Sequence, residues 1–303
     1  MVEKFLIIEV PPEAPESIEE MGSKRKFWFS RYELKRHRYL YKQVRQNTGE
    51  DWAEKIASEL CKLLALPHAD YELATFKNER GIISPSFLPE EGSLELGNEI
   101  LAPIVPDYPQ AESFKVSQHT IENIFAALTQ DSVNLPLQWT PPNDITTSAE
   151  VFVGYLLLDA WVGNSDRHHE NWAFIRFCKK TYLAPTYDHA SSMGREILDH
   201  KRLLKLNNKS VTSYVEKCTS AIYASVEDER PLKTFDVFRE ARQRYPKAAS
   251  VWLDNLAKVS SDDTLKLFQR IPSERISETA IKFAQKILEL NQHRLLKLRN
   301  IIP

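Results

Sequence analysis

The chain has 303 residues, which is enough for one large domain or for two lobes around a sizeable core. Apolar residues make up 42% of it and charged residues 27%, a balance that is typical of globular proteins. The formal net charge of −2 provides no overall basic field, which argues against direct nucleic-acid binding.

The cysteines and the apolar runs indicate the cellular compartment in which the protein is expected. Cys61, Cys178 and Cys218 are far apart and lack metal-type spacing, and such a sparse, odd count is typical of a reducing compartment. Acidic residues and prolines interrupt the apolar run near the N-terminus, unlike in a signal peptide. No stretch approaches the roughly 20 apolar residues of a membrane span. We therefore expect a cytoplasmic protein that does not contact a membrane.

The first 88 residues alternate between strand patterns and one helix pattern. Aromatic and β-branched runs predict strands at 4–10, 26–30, 38–44, 71–76 and 81–88. Apolar residues from Trp52 onward recur at helical spacing, and Thr48 with Asp51 has the spacing of a capping box. This order predicts a small α+β lobe over residues 1–88.

The remaining residues are mainly helical in pattern. Amphipathic spacing predicts helices at 118–129, 147–162, 232–244, 247–258, 262–270 and 277–299. Two strand-like pieces, at 172–177 and 181–188, interrupt them. The predicted fold class is α+β, with a strand-rich lobe over 1–88, a hinge near Phe87 and Leu88, and a larger helical lobe over 89–303.

A dense charged cluster lies between apolar flanks in WVGNSDRHHENWAFI, residues 161–175. Burying that much charge is costly unless every group has a partner. A strand pair between residues 172 and 187 would return Asp188 to the loop that holds Asp166 and Asn171. Oxygen ligands from separate segments are what magnesium binding requires, although Asp and Asn in a loop are also ordinary turn formers. Zinc is disfavoured, because no cysteine lies nearby in sequence.

The stretch GNSDRHHENWAFI…YLAPTYDHASS resembles the catalytic region of HipA-type serine/threonine kinases. In that family Asp-x-His-x-x-Asn, a hairpin and Tyr-Asp follow one another, after a helix that SAEVFVGYLLLDAWVG matches. Asp-Arg-His-x-x-Asn also resembles the catalytic loop of phosphoinositide-type kinases. The resemblance implies a two-lobed protein-kinase-like fold that uses ATP and Mg²⁺ to phosphorylate serine or threonine of a protein substrate.

The resemblance also implies roles for single residues. Asp166 accepts or orients the substrate hydroxyl, and His168 supports the loop or the transition state. Asn171 is a magnesium ligand and Asp188 is the principal one. Arg167 has no assigned role, and a carboxylate is its expected partner.

A nucleotide site also needs residues from the first lobe. Strand alternation places Lys42 on the face opposite Tyr41, and a lysine here would hold the phosphates. Glu54 matches the helix glutamate that pairs with such a lysine, although Glu59 lies nearer the apolar face and remains an alternative. Phe87 and Leu88, at the hinge, are further candidate nucleotide contacts.

The loop MGSKRKFW is the expected phosphate cover, with Gly22 and Ser23 at its turn. By resemblance, Ser23 is a hypothetical autophosphorylation site. The chain departs from other kinases in lacking Gly-x-Gly-x-x-Gly and Asp-Phe-Gly, since His189 and Ala190 follow Asp188.

Partners and alternatives follow from the same resemblance. Basic residues after Asp188 are candidates to seat an acidic acceptor, namely Arg195, Lys201, Arg202, Lys205 and Lys209. HipA-type kinases often act as toxins that a small DNA-binding antitoxin neutralises, and such a partner would be a separate chain. A lipid or small-molecule kinase and an inactive kinase fold that only binds remain the alternatives.

Overall fold

A computed structural model describes residues 2–18, 25–30, 38–130 and 132–300 of the chain. The strands in these ranges are Ile7–Val10 (β1), Ser17–Ile18 (β2), Lys26–Ser30 (β3), Arg38–Gln43 (β4), Glu72–Phe76 (β5), Glu79–Pro85 (β6), Ser93–Leu96 (β7), Val133–Asn134 (β8), Ala173–Phe177 (β9) and Lys180–Leu183 (β10). The α-helices are Glu50–Leu64 (α1), Gly97–Leu101 (α2), Ile121–Leu128 (α3), Ser148–Val162 (α4), Asp199–Asn207 (α5), Val211–Glu216 (α6), Thr234–Arg244 (α7), Pro246–Lys258 (α8), Ser261–Arg270 (α9) and Glu278–Lys297 (α10).

Six strands form the first sheet in the order β1-β5-β6-β4-β3-β2. Only β1 and β5 run parallel among these neighbours, and the other pairs are antiparallel. One face of the sheet buries an aromatic cluster that includes Phe27, Tyr41 and Phe76. Helix α1 contacts β5 and β6 and also packs on α8 and α9, so it joins the sheet to the helical part.

The second sheet has the order β7-β9-β10-β8 and is built around the β9–β10 hairpin. Cys178 and Lys179 form its two-residue turn, with φ values of 49° and 60°. Positive φ at both turn positions matches the right-handed twist of the paired strands. The hairpin returns the chain, so that Asp188 lies near Asp166 as the sequence predicted.

Helix α4 is the centre of the helical part. It contacts α7, α8 and α10, and every one of its residues except Glu150 is buried. Glu150 completes a capping box with Thr147 at the N-terminus. The predicted helix is therefore confirmed. The prediction that it is amphipathic is wrong, because neighbouring helices cover it on all sides.

The start of α1 also differs from its prediction. The helix begins after Gly49 without a side-chain cap, and the Thr48 hydroxyl donates to a carbonyl of the preceding turn. The Asp51 carboxylate is instead held by Arg80 (2.6 Å) and Arg275 (3.1 Å). The predicted capping box does not form, because the Asp51 side chain makes tertiary ion pairs instead.

Several short elements, β2, β7, β8, α2, α5 and α6, had no counterpart in the sequence analysis. Runs of two to nine residues carry too little periodicity to be distinguished from loops. In the described parts of the chain, no helix combines the length and the apolar character needed to cross a bilayer.

Candidate active site

A cavity of about 570 Å³ lies between the first sheet and the loops that follow α4 and β10. Four side chains from these segments line its polar end, namely Lys42, Asp166, Asn171 and Asp188. Phe87, Leu88, Leu94 and Tyr187 pack in one apolar cluster and form its apolar end, and its other apolar lining residues are Trp28, Leu40, Ile82 and Phe114. The cavity thus combines an ionic end with an aromatic and aliphatic recess, as in sites for ligands with a charged and an apolar part.

The loop after α4 is closed by hydrogen bonds between its own residues. Asn171 Nδ2 donates to the Asp166 carbonyl (2.5 Å), and the Asp166 amide donates to Asn164 Oδ1 (3.2 Å). Asn171 Oδ1 accepts no hydrogen bond from the parts of the chain that the structure describes. The loop therefore holds Asn171 by its nitrogen and leaves its oxygen available for a ligand.

Arg167 is the partner that makes this charged loop tolerable in the interior. Its guanidinium donates to both carboxylate oxygens of Asp159 (2.8 Å each), and the two side chains are almost fully buried. It also donates to the Asn171 carbonyl (2.6 Å) and to Thr186 Oγ1 (2.9 Å). Arg167 does pair with a carboxylate, and it ties α4 to both segments that line the cavity.

We expect Arg167→Met to lower the free energy of unfolding by about 3–5 kcal/mol, because the Asp159 carboxylate would be left buried without a counter-charge. Denaturant titration measures this loss. Arg239→Met, which breaks a surface ion pair, is the matched control and should change stability little. Adding Asp159→Asn to the Arg167 variant should recover part of the loss. A single-variant loss no larger than that of the control would contradict the assigned role.

Asp188 is held in an unusual backbone conformation. Its φ of 55° lies in the left-handed region, which Asp tolerates better than most residues. Its amide donates to the Tyr71 hydroxyl (3.2 Å), and the amide of His189 donates to Glu54 Oε1 (2.6 Å). Such strain persists only where surrounding contacts over-determine it, and here they come from α1 and from the segment before β5.

Lys42 reaches across the cavity from β4. Its Nζ lies 2.6 Å from Asp188 Oδ1, and the residue is only 7% exposed. Burial opposes the charged ammonium, but Asp188 and Glu54 outweigh it and raise the pKa of Lys42. Lys42 is therefore a charged group held inside the cavity.

The structure corrects the expected pairing of Lys42. Its ion-pair partner is Asp188 and not Glu54. Glu54 Oε1 accepts from the His189 amide, and Glu54 Oε2 makes no hydrogen bond within the described residues. Glu54 is nevertheless fully buried beside this site, whereas the alternative Glu59 pairs with Lys55 (2.9 Å) on the far side of α1. All residues of α1 are buried except Glu59, Lys62 and Leu63.

Buried hydrogen bonds connect Arg167 to His189 through Thr186. Thr186 Oγ1 accepts from Arg167 and lies 2.7 Å from His189 Nε2. The other ring nitrogen, Nδ1, is 3.5 Å from Glu54 Oε1 and makes no hydrogen bond with the described part of the chain. His189, at the position of the Phe in Asp-Phe-Gly, thus links α1 to the cavity-lining segments.

The Asp166 carboxylate is positioned by a second chain of contacts. Ser191 Oγ donates to Asp166 Oδ2 (3.2 Å), and Arg195 Nη2 donates to Ser191 Oγ (3.0 Å). Arg195 Nη1 donates in turn to the buried Glu50 (2.7 Å), in the first turn of α1. Sequence analysis missed Ser191 and Glu50, since no local pattern signals a contact between such distant residues.

Burial and neighbouring charges shift the pKa of the Asp166 carboxyl. Burial raises the pKa of its carboxyl, and the negative charge of Asp188 raises it further. His168 and the Ser191 hydroxyl act in the opposite direction. Two carboxylates facing one cavity repel each other, so a bound cation would be favourable there.

His168 lies beside the Asp166 carboxylate. Its Nε2 is 3.9 Å from Asp166 Oδ1, while its Nδ1 accepts from the Glu170 amide (3.3 Å) at the start of a short 3-10 helix. Its ring contacts Phe114 at 5.6 Å between centroids. The side chain is thereby fixed at the rim of the cavity.

The remaining candidate residues divide into two groups. Phe87 and Leu88 line the apolar end, where Phe87 stacks on Tyr187 with 5.8 Å between ring centroids. Gly22 and Ser23, the proposed cover loop, lie outside the residues that the structure describes. Sequence analysis missed the other apolar lining residues, because an apolar strand residue looks the same whether it faces a cavity or the core.

The proposed basic acceptor patch is only partly at the surface. Arg195 is committed to Glu50 and Ser191, and Arg202 is buried and donates to the Gly194 carbonyl (3.0 Å). Three lysines of this set remain at least partly accessible, namely Lys201, Lys205 and Lys209. The patch is smaller than expected because two of its charges are used internally.

Comparisons with known proteins can now be set beside this geometry. No protein-family model matches the sequence, and no curated protein does either. Among solved structures, the Helicobacter pylori proinflammatory kinase CtkA is similar, with a TM-score of 0.69 and 16% identity over 98% of this chain and 99% of that one. HipA, from the Shewanella oneidensis MR-1 toxin–antitoxin complex with HipB and operator DNA, has a TM-score of 0.54 and 12% identity over 97% of this chain and 70% of that one.

This chain has a HipA-like kinase fold. The predicted α+β class, with a strand-rich part and a helical part, is confirmed. At these low identities the likeness concerns the fold, so the chemistry of this kinase fold has to be argued from its own cavity.

Two side chains of this cavity could hold a cation such as Mg²⁺. Asp188 and Asn171 Oδ1 offer hard oxygen donors there. Within the described residues, no group of three or more His, Cys, Asp or Glu side chains is placed to hold a metal. Magnesium typically keeps several waters beside a few protein oxygen ligands.

Proposed function

We propose that the protein is an ATP- and Mg²⁺-dependent kinase that transfers the γ-phosphate to serine or threonine of a protein substrate. The observation that carries this proposal is the convergence of Lys42, Asp166, Asn171 and Asp188 on one cavity with an apolar recess. The HipA-like fold supports the coarser statement that this is a phosphotransferase.

The nucleotide would bind along the length of the cavity. Its base would enter the apolar end between the sheet and Phe87, Leu88 and Tyr187. Lys42 would then leave Asp188 and hold the phosphates, while Asp188 and Asn171 would ligate Mg²⁺. The metal, when bound, neutralises the charge that develops on the phosphate oxygens.

In the proposed transfer step, Asp166 is the group that accepts the proton of the acceptor hydroxyl. The acceptor hydroxyl oxygen bonds to the γ-phosphorus, the bond to the β–γ bridging oxygen breaks, and ADP leaves with that electron pair. Asp166 receives the hydroxyl proton. His168 beside it supports the loop, and Glu54 with His189 holds the Asp188 turn. These roles are mainly positioning and charge neutralisation.

The chain of contacts to Asp166 supports a prediction about positioning. Arg195→Met should lower kcat about tenfold and leave the KM for ATP nearly unchanged, because Ser191 loses its support while the nucleotide contacts stay. Steady-state kinetics with varied ATP measures both constants. Arg195→Lys, which can still donate to Ser191, should recover part of the loss. An equal loss of kcat in the two variants would indicate that Arg195 has only a general structural role.

The biological setting is part of the same proposal. HipA was solved with HipB and operator DNA, and by analogy we propose a separate DNA-binding antitoxin for this chain, which would then be a cytoplasmic toxin. A protein substrate fits the exposed rim of the cavity near Phe114. Ser23 remains a proposed autophosphorylation site, which mass spectrometry after incubation with ATP can test.

Measurements of ATP binding and of phosphoryl transfer together test the proposed function. Calorimetry should detect ATP binding that weakens when Mg²⁺ is removed with a chelator, because the Asp188 carboxylate then repels the phosphates. Radiolabelled ATP should label protein acceptors but not phosphoinositide vesicles. Labelling of the lipid alone would favour a lipid kinase. The absence of magnesium-dependent ATP binding would favour a fold that only binds other molecules.

A further inference from the structure

The segment between α2 and α3 packs against the loop that carries Asp166 and Asn171. The hydroxyl group of Tyr108, in this segment, lies 2.7 Å from Nδ1 of His169, and the contact is buried. The two rings are 5.6 Å apart between centroids. His169 begins the short 3-10 helix that ends at Asn171. Tyr108 therefore holds the start of the turn that presents Asn171 to the cavity.

A second hydrogen bond holds the residue that follows Asn171. The indole Nε1 of Trp172 can only donate, and it donates to Nε2 of His119 (3.1 Å). Nδ1 of the same imidazole lies 3.0 Å from the carbonyl of Ala221, which can only accept. These partners place the ring proton of His119 on Nδ1 and leave Nε2 as an acceptor. Burial lowers the pKa of His119 to about 3, in agreement with a neutral ring.

Both members of this pair are themselves fixed by backbone contacts. The Tyr223 amide donates to the His119 carbonyl (3.0 Å), and the Gly97 amide donates to the Trp172 carbonyl (2.9 Å). A Cβ atom on Gly97 would overlap with the indole and with the His169 carbonyl. The backbone at the start of α2 thus touches the loop directly, and only glycine permits that approach.

The orientation of Asn171 depends on this support. Within the described residues its side chain makes one hydrogen bond, from Nδ2 to the Asp166 carbonyl, and the oxygen Oδ1 accepts none. The direction of Oδ1 is therefore set largely by the backbone of its own turn, where Tyr108 and His119 act. Neither Tyr108 nor His119 lines the cavity, so neither would touch a bound nucleotide.

We propose that Tyr108 and His119 are positioning residues for the metal site of the proposed kinase. By holding His169 and Trp172, they keep Asn171 Oδ1 directed at the cation. Loss of a group that orients a metal ligand typically lowers metal affinity by about 10- to 100-fold. This inference rests on the proposed kinase function and adds residues that determine its affinity for magnesium.

Tyr108→Phe and His119→Phe each remove one hydrogen bond and keep an aromatic ring in place. Calorimetric titrations with ATP at increasing Mg²⁺ concentrations should show that each variant needs about tenfold more Mg²⁺ for half-maximal enhancement of binding. Metal-free ATP should bind as tightly as to the unchanged protein, because Lys42 and the apolar recess stay intact. His119→Gln should recover part of the loss, since its amide oxygen can still accept from Trp172.

Tyr41→Phe is the matched control, because it also removes a buried hydroxyl group, which donates to the Glu79 carbonyl (3.2 Å) in the first sheet. It should leave the Mg²⁺ dependence of ATP binding unchanged. The inference would be overturned if the Tyr108 and His119 variants kept the normal Mg²⁺ dependence, or if metal-free binding weakened by the same factor. The proposed kinase function would survive either result. If the unchanged protein showed no magnesium-dependent ATP binding, that function would fail and the inference with it.

Discussion

Asp166→Asn should reduce phosphoryl transfer by about 10²- to 10⁴-fold while ATP binding stays close to that of the unchanged protein. The amide cannot accept the hydroxyl proton, but it keeps the shape of the side chain and an oxygen for the Ser191 hydrogen bond. The contacts of Lys42 and Asn171 to other groups are also kept, since Asn171 binds the Asp166 carbonyl and not its carboxylate. Single-turnover labelling with radioactive ATP measures the transfer, and calorimetry measures the binding.

The control for this variant is Asp262→Asn, which removes an exposed carboxylate of α9. It should transfer phosphate at the normal rate. Normal turnover by the Asp166 variant would show that another group accepts the proton, and the assignment of the catalytic loop would then be wrong. A parallel loss of ATP binding would place Asp166 among the metal ligands instead.

Asp188→Asn should weaken ATP binding about 100-fold when Mg²⁺ is present, because the principal metal ligand loses its charge. Without Mg²⁺ the substitution should no longer weaken ATP binding and should instead strengthen it or leave it unchanged. In the unchanged protein Lys42 is held by Asp188 at 2.6 Å, and that ion pair has to open before Lys42 can bind phosphates. The variant removes this competition, so metal-free ATP should bind at least as tightly as to the unchanged protein.

Calorimetric titrations with Mg²⁺ and with a chelator distinguish this role from simple damage to the fold. A variant that has lost its structure would bind poorly under both conditions. Asp199→Asn, whose carboxylate contacts Arg202 outside the cavity, is the matched control and should behave like the unchanged protein. Weaker metal-free binding by the Asp188 variant would contradict the competition between Asp188 and the phosphates.

The segment from Asp166 to Asp188 was predictable because its geometry is local. An antiparallel hairpin with a two-residue turn reverses the chain over a few residues, so the spacing alone implies that its ends meet. The alternation along β4 likewise placed Lys42 on the face opposite Tyr41, and Lys42 lines the cavity. Strongly periodic helices such as α7 to α10 were found for the same reason.

Tertiary packing decided which polar groups are buried. The helical pattern of α1 placed Glu54 away from the apolar face, but the helix is covered on nearly every side, so Glu54 is buried beside His189. Helix α4 appeared amphipathic and is enclosed instead. Amphipathic patterns assume that one face meets water, and that assumption fails for a helix inside a large core.

By itself, the sequence determined the two-part α+β organisation and the local loop–hairpin–loop unit that carries Asp166, Asn171 and Asp188. Only the tertiary structure decided how α1 reaches that unit, through Glu54 to His189 and Glu50 to Arg195, pairs separated by 135 and 145 residues. Periodicity and turn chemistry act over a few residues. Contacts between residues so far apart depend on how all the intervening elements pack, and no short pattern encodes that.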